Sequence, residues 1–296
     1  MQLVQDKEDI TINTASEEEQ WDTIIKPSTG LLEIDFKEIW RYRDLLLLLV
    51  RRDFVAVYKQ TILGPLWFFI QPIFTTIIFT VVFGNIANIS TDGLPQILFY
   101  MSGITMWNYF ADCLNKTSNT FTANASIFGK VYFPRVIVPM SIVVSNLIKF
   151  AIQLVLLGCF WLYFYGQGAN IQLQREIALF PFLVLLMAGM GLGLGMIFSS
   201  MTTKYRDLTF LLTFGVQLLM YASPVIYPLS TLPEKYKIYI LANPMTSIIE
   251  TFRYAFLGTG GYEWTYLAYS TGFTVFVLVI GLLIFNQVQK SFMDTV

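Results

Sequence analysis

The sequence predicts an all-α membrane protein with six transmembrane helices. Hydrophobic residues make up 55% of the 296-residue chain and charged residues only 13%, about half the soluble average of roughly 25%. The apolar residues lie in long runs, and about 20 such residues match the thickness of a bilayer core. Lipid offers the backbone no hydrogen bonds, and the runs do not alternate as β-barrel strands do. Each run is therefore predicted to be a helix.

The first part of the chain is predicted to stay outside the bilayer core. Residues 1–32 are polar and acidic and are predicted to form a flexible cytoplasmic tail, so we expect the first span to act as its own insertion signal. Residues 33–64 are predicted to form an interfacial amphipathic helix and a connector. Their apolar run 45–50 is too short to span, and basic residues flank it, as in helices that lie among anionic head groups. A soluble amphipathic helix packed on a partner is the alternative.

The six-span domain is predicted to cover residues 65–286. The spans are predicted at about 65–87, 96–114, 137–165, 177–200, 208–226 and 264–286. Pro65 suits the first turn of a helix, where its missing N–H costs nothing. Residues 227–262 are too polar to span cleanly yet contain apolar turns, and residues 287–296 are predicted to form a cytoplasmic tail.

Lysine and arginine residues predict the orientation. The N-terminal 60 residues and the loops 115–135 and 201–207 hold most of them. The residues assigned to the opposite side include only Arg175, Lys235, Lys237 and Arg253. Because basic residues concentrate in cytoplasmic loops, both termini are predicted to be cytoplasmic.

Composition excludes several classes of chemistry. The chain has no histidine, which removes the Ser-His-Asp triad and imidazole metal sites. Cys113 and Cys159 lie in apolar surroundings, so neither a disulfide nor a metal site is expected. The phosphate-loop pattern G-x-x-x-x-G-K-[ST] is also missing, so the chain is predicted to bind no cofactor and to hydrolyse no ATP. The net charge of −1 says little about partners, and no nucleic-acid partner is predicted.

The polar segment 115–135 contains a mixed apolar and basic stretch. A short helix there would fit a groove on a cytoplasmic partner. The residues assigned to partner contact are Ile127, Phe128, Lys130, Tyr132, Phe133 and Arg135. The aromatic side chains would anchor the contact and the basic ones would steer it. An ordinary loop with aromatic residues at the membrane interface is an equal alternative.

Basic and aromatic side chains are the other candidates for substrate contact. The cations that could meet a lipid pyrophosphate are Arg41, Arg43, Arg51, Arg52 and Lys59, although membrane anchoring alone would explain them. The aromatic residues that could line a channel are Trp67, Phe68, Phe74, Tyr221 and Tyr227. Flat rings would let a sugar chain slide past, whereas belt and packing roles compete with this assignment.

Charged and small residues inside the spans suggest how the helices pack. Lys149 is a functional candidate that could instead snorkel or pair structurally. Asp112 and Lys116 are spaced to pair at i, i+4. Glycines recur at every second position over 189–195, with no preceding strand, so close helix packing is predicted rather than a dinucleotide site.

Seven short motifs occur in order along the chain. They are YRDL at 42–45, RD at 52–53, YKQTILGPLW at 58–67, KVYFPR at 130–135, KYRDL at 204–208, SPVIYP at 223–228 and NPM at 243–245. Each motif alone is weak, but together they cover about residues 33–258. With these motifs the chain resembles the permease subunits of ABC exporters for lipid-linked polysaccharides, the O-antigen and teichoic-acid export permeases.

The resemblance implies a transport permease of the bacterial cytoplasmic (inner) membrane, and not an enzyme. Its substrate would be a polysaccharide on a polyprenyl pyrophosphate, as in O-antigen and lipopolysaccharide biosynthesis. Two nucleotide-binding ATPase subunits would use ATP and Mg, and the permease would form a homodimer in contact with membrane lipid and the lipid-linked glycan. Segment 115–135 would be the coupling helix on the ATPase. Residues 227–262 would form two short re-entrant helices at an outer gate, where Glu250 and Arg253 could pair three residues apart.

Two other functions stay open from the sequence. The first is an ABC exporter permease for a drug, a lipid or another small molecule, which channel width would distinguish. The second is a membrane-embedded glycosyl- or acyltransferase. That enzyme would need convergent acids or a nucleophile–base pair near one face, and the sequence offers none that we can identify.

Overall fold

The structure is a computed structural model and describes residues 36–59 and 61–295. The predicted tail, 1–32, lies outside the described residues. In the described ranges every regular element is helical, which confirms the all-α fold class.

The α-helices are α1 Phe36–Arg41, α2 Arg43–Tyr58, α3 Trp67–Phe79, α4 Gln96–Thr117, α5 Thr120–Phe128, α6 Ile137–Gly166, α7 Phe180–Thr202, α8 Leu208–Tyr221, α9 Glu234–Leu241, α10 Pro244–Leu257 and α11 Trp264–Thr295. Short 3-10 turns lie at Gly64–Leu66, Arg175–Leu179 and Leu229–Thr231, and a π-helical turn, Thr80–Ile86, extends α3.

Four helical segments in the described chain are long and apolar enough to cross a membrane. They are Gly64–Ile86, Ile137–Gly166, Arg175–Thr202 and Trp264–Lys290. Each has at least 23 residues, which is about 35 Å of helix at roughly 1.5 Å per residue. These four segments agree with the predicted spans 1, 3, 4 and 6.

Helix α4 is long enough to span but lies in the middle of the bundle. Its 22 residues correspond to about 33 Å. It contacts α3, α6, α7, α8 and α10, and polar residues such as Ser102 and Thr105 are buried in it. A helix surrounded by protein needs no apolar face toward lipid. This position explains why α4 is less apolar than its neighbours.

Helix α7 packs closely on two sides through its glycines. Gly191 and Gly195 face α4, where a methyl group on Gly191 would lie 2.7 Å from Cβ of Cys113. Gly189 and Gly193 face α11, where a methyl group on Gly193 would lie 2.8 Å from the backbone nitrogen of Leu278. Glycines four residues apart share one helix face, so the four glycines form two contact stripes. Close packing through small residues is what the structure shows.

Tertiary contacts define the two ends of the bundle. At one end, α2 packs on α6, α5 packs on α7, and the hydroxyl of Thr202 donates to the carbonyl of Ser118 (2.8 Å). We call it the α5 end. At the other end, α10 packs on the starts of α4, α7 and α11, and the amide of Gln174 donates to the carbonyl of Ala255 (2.9 Å). We call it the α10 end.

Candidate functional site

The segment between α4 and α6 forms most of the α5 end. Two residues separate the end of α4 from the start of α5, and the hydroxyl of Thr120 donates to the carbonyl of Thr117 (2.7 Å). The amide of Phe121 donates to the hydroxyl of Ser199 at 3.3 Å, which ties α5 to the end of α7. The predicted short helix therefore exists, but it ends at Phe128 and most of the stretch 127–135 follows it in a non-helical conformation.

Four phenylalanines hold this segment against the bundle. The rings of Phe121 and Phe285 stack at 4.5 Å, and Phe128 lies 5.8 Å from Phe133. All four side chains are buried. The rings of Phe128 and Phe133 therefore fill the protein's own core, and their role as anchors for a partner stays a prediction. Phe121 and Phe285 had no distinguishing signal in the sequence.

Arg135 is also engaged inside the chain. Its guanidinium donates to the carbonyl of Gln289 at 2.6 Å and lies 5.4 Å from the centre of the Phe128 ring. Partial burial lowers the pKa of Arg135 below its usual range, but a guanidinium stays charged at neutral pH. Arg135 thus links the segment to α11, in addition to any steering role.

Several residues of the segment are exposed, among them three that follow α5. Lys130, Val131 and Tyr132 are exposed, with Tyr132 at 59%. Ile127 is half-buried beside them. Of the six residues predicted for partner contact, Lys130 and Tyr132 are thus the fully accessible ones. We refer to residues 130–132 as the tip.

The basic residues of the first two helices lie at the same end. Arg41, Arg43, Arg51, Arg52 and Lys59 are all exposed. Arg52 pairs with the neighbouring Asp53 at 2.8 Å. Burial of other α2 side chains against α6 holds the helix in place. The arrangement offers a basic surface, while the role of these cations in substrate contact stays a prediction.

Charged residues of α4 and α6 have different partners from those predicted. Asp112 and Lys116 do not pair with each other in the structure. Asp112 accepts from Lys149 of α6 at 2.7 Å, and Lys116 donates to the amide oxygen of Asn146 at 2.8 Å. Helices α4 and α6 pack side by side, so each side chain finds a partner across the helix contact. The structural pairing alternative for Lys149 is the one observed.

The aromatic residues predicted to line a channel fall into two groups. Trp67, Phe74 and Tyr221 are exposed, the first two on α3 and the third at the end of α8. Phe68 is buried, with its ring 6.2 Å from that of Phe54. Tyr227 is half-buried, and its hydroxyl donates to the carbonyl of Tyr221 at 3.2 Å. The role of all five residues in lining a channel stays a prediction.

The α10 end contains a buried ion pair. Arg253 and Glu250 are 3.3 Å apart and only 1% and 4% exposed. The pairing matches the predicted i, i+3 spacing. Asn243 caps the helix that carries both residues, because its side chain accepts from the amide of Met245 at 3.1 Å.

Arg253 also binds backbone oxygens that are far away in the sequence. It donates to the carbonyl oxygens of Phe99 (3.4 Å), Pro224 and Val225 (2.9 Å). Its guanidinium also lies 3.8 Å from the centre of the Phe99 ring. The side chain therefore joins α10, α4 and the turn after α8, and the sequence carries no signal for these partners.

Comparison with known proteins adds a family match. Residues 44–257 match the family described as ABC-2 type transporter. The chain is 29% identical over 252 residues to the O-antigen export system permease protein RfbA of Klebsiella pneumoniae, covering 85% of this chain and 94% of that protein. It is 28% identical to RfbA of Myxococcus xanthus, covering 74% and 83% of the two chains. It is 24% identical to the polysialic acid transport protein KpsM of Escherichia coli, covering 79% and 89%.

Proposed function

This chain belongs to the ABC-2 type transporter family, and from that premise we propose that it is the membrane permease of an ATP-driven polysaccharide exporter. The observation that carries the proposal is the extent of the similarity to export permeases. The match spans 94% of the Klebsiella O-antigen permease, and the relative from Escherichia coli is named for polysialic acid transport. The substrate would be a polysaccharide on a polyprenyl-pyrophosphate carrier, moved across the inner membrane.

The proposed topology has six spans. Helices α4 and α8 would join the four long apolar segments. The length of α4 supports its crossing of the bilayer. Successive long helices of the bundle run in opposite directions between the α5 end and the α10 end. Helix α8 has only 14 residues, about 21 Å. The turn that follows α8 would therefore complete the crossing of the bilayer. The α5 end would face the cytoplasm with both termini, because the basic residues of α2 lie there.

Helices α9 and α10 would form the re-entrant pair at the outer side. They lie between α8 and α11, and the segment that contains them begins and ends at the α10 end. On α10, Met245, Ile248 and Phe252 are completely buried, whereas α9 has no buried residue. The burial therefore supports α10 as the re-entrant element, because non-spanning structure at membrane depth must be buried in protein. Glu250 and Arg253 would then cross-link the outer gate.

The proposed helix at the membrane interface is supported by the exposed surface of α2. Leu47 and Leu48 are exposed, and so are Arg51 and Arg52 on the next turn. Exposed leucines beside exposed arginines suit a helix that lies between acyl chains and head groups. The basic residues of α2 would attract anionic lipid.

The energy source would be a separate ATPase subunit, in two copies, which binds ATP and Mg. Two permease chains would form a homodimer, the common symmetry of soluble oligomers. The outward-facing side chains of Trp67, Phe74 and Tyr221 support this arrangement, because a second copy could enclose a channel between such surfaces. The tip would contact the ATPase and transmit rigid-body motion to the bundle.

The tip allows a direct test of the ATPase contact. We expect Tyr132→Ala to lower the amount of a phosphate-loop ATPase subunit that co-purifies with the permease by about tenfold or more, since buried interface tyrosines often contribute about 2 kcal/mol. Because Tyr132 is 59% exposed in the isolated chain, the permease itself should fold normally. Tyr239→Ala on α9, also exposed, is the matched control at the other end. Equal recovery of the ATPase with both variants would contradict the proposed contact.

Deletion of the gene in its native host tests the function itself. We expect surface polysaccharide to disappear and lipid-linked polysaccharide to accumulate inside the cell, with both restored by the intact gene. Unchanged surface polysaccharide would refute polysaccharide export and favour an exporter for a drug, a lipid or another small molecule.

A further inference from the structure

A cavity of about 650 Å³ opens at the α5 end, between α2, α4, α5 and α6. Small-molecule sites commonly have volumes of about 300–1,000 Å³. Of the five basic residues predicted to meet a lipid head group, only Arg52 lines it. The other polar lining residues come mainly from the facing sides of α4 and α6.

The lining of the cavity carries two buried side-chain atoms without a hydrogen-bond partner among the described residues, the donor Nδ2 of Asn146 and the acceptor Oδ1 of Asn115. Asn146 lines the cavity and is 2% exposed. Its side-chain oxygen accepts from Lys116, but its side-chain nitrogen has no hydrogen-bond partner among the described residues. A buried N–H without a partner costs about 1–3 kcal/mol. Nδ2 of Asn146 needs an acceptor, which an anionic occupant of the cavity would supply, whereas Oδ1 of Asn115 needs a donor, such as a hydroxyl group or a water molecule.

The charge of the cavity favours an anion. Arg52, Lys116 and Lys149 line it together with one carboxylate, Asp53. Asp112 pairs with Lys149 from outside the lining, so three cations stand against two carboxylates. The partner of Lys116 is a neutral amide. Its positive charge is therefore available to an anion that displaces or joins this hydrogen bond.

Four apolar side chains also line the cavity, and we refer to them as the apolar wall. They are Phe54 and Phe68, whose rings are 6.2 Å apart, and Ile127 and Ile142. A ligand that suits both the polar and the apolar lining has an anionic head and a hydrocarbon body. Free phosphate would use only the polar lining.

We propose that this cavity binds the phosphate-bearing head group of a lipid. Lys116 and Lys149 contact the phosphate oxygens, the free N–H of Asn146 donates to them, and the first carbons of the chain lie against Phe54 and Phe68. Charge-assisted hydrogen bonds of this kind are roughly twice as strong as neutral ones. The identity of that lipid as the polysaccharide carrier rests on the proposed function, whereas the anion site does not.

The test is a binding measurement on the full chain purified with its ATPase subunit. Radiolabelled farnesyl diphosphate is the probe, and unlabelled farnesol and inorganic pyrophosphate are the competitors. We expect Lys116→Gln to weaken binding of the probe by about tenfold and Lys116→Arg to keep it within about twofold, because the charge remains. Lys290→Gln removes an equal charge from an exposed site outside the cavity and should change nothing. The elution profile of each variant in size-exclusion chromatography confirms that it has folded.

The competitors distinguish the sources of the phosphate. Farnesol should not compete, and pyrophosphate should compete at higher concentration than farnesyl diphosphate, since it lacks the contacts with the apolar wall. Pyrophosphate binding as tightly as the lipid would overturn the lipid assignment. Unchanged binding in Lys116→Gln, or competition by farnesol equal to that of the diphosphate, would overturn the anion site.

The same variants separate this inference from the proposed function. In the deletion host, the intact gene should restore surface polysaccharide and Lys116→Gln should restore less. If Lys116→Gln restores polysaccharide fully and binds the probe like the parent chain, the cavity assignment fails and the export function stands. If the deletion itself leaves surface polysaccharide unchanged, the export function fails, while the binding result still decides the anion site.

Discussion

Replacing Arg253 with methionine is expected to destabilise the fold by about 3–5 kcal/mol. The change leaves the carboxylate of Glu250 buried without its cation. It also leaves the carbonyl oxygens of Pro224 and Val225 without their donor, and unsatisfied buried groups add their own cost. Thermal unfolding in detergent, followed by fluorescence-detected size exclusion, should show a large drop in melting temperature and low recovery of monodisperse protein.

A more exposed ion pair with the same spacing provides the control for Arg253. Lys237 pairs with Glu234 at 2.6 Å on α9, and both residues lie nearer the surface. Lys237→Met should cost less than about 1 kcal/mol, as exposed pairs do. Similar losses of stability for the two variants would show that burial does not set the energy of the Arg253 contacts.

The double variant Glu250→Gln, Arg253→Met separates the contribution of the ion pair from that of the carbonyl contacts. It removes the buried unpaired charge, so it should be more stable than Arg253→Met alone. It should still be less stable than the parent chain, because the carbonyl oxygens around Arg253 keep no donor. Full recovery in the double variant would mean that the carbonyl contacts contribute nothing.

Replacing Gly193 with alanine is expected to destabilise the bundle by about 1–3 kcal/mol, the typical cost of overpacking. The added methyl group would lie 2.8 Å from the backbone of Val277 and Leu278 on α11. Backbone atoms cannot move aside as a flexible side chain can, so α7 and α11 would have to separate. A lower melting temperature in the same detergent assay would report this change.

A second glycine provides a control for which substitution by alanine should not lower stability. Gly158 lies inside α6 with nothing within 4 Å of the place where its methyl group would be. Gly158→Ala should therefore leave stability unchanged or raise it by up to about 1 kcal/mol, the difference in helix propensity. Equal destabilisation by the two alanines would show that the close contact at Gly193 is not the cause.

Much of the fold can be predicted from the sequence because its signals are local. Long apolar runs predict helices, and the four segments with spanning length lie where the runs are. Glycines four residues apart predict stripes of close packing, which the structure shows on α7. Glu250 and Arg253 are three residues apart on one helix, so their pairing also follows from local spacing.

Local spacing predicts the wrong partner where a side chain of a neighbouring helix competes for the contact. The sequence placed Asp112 beside Lys116, but helix packing brings Lys149 and Asn146 closer. Phe128 and Phe133 look like surface anchors in a polar segment, yet they fill the core beneath it. Each outcome depends on which helix lies beside the residue, and hydropathy does not encode that neighbour.

By itself, the sequence determined that the chain is a set of long apolar helices with a basic segment between the second and third predicted spans. Only the tertiary structure decided that α4 lies at the centre, that Arg253 joins three elements and that a cavity lies under α2. The physical reason is the range of the interactions. Helix formation depends on neighbours within about four residues, whereas the partners of Arg253 on α4 are more than 150 positions away along the chain.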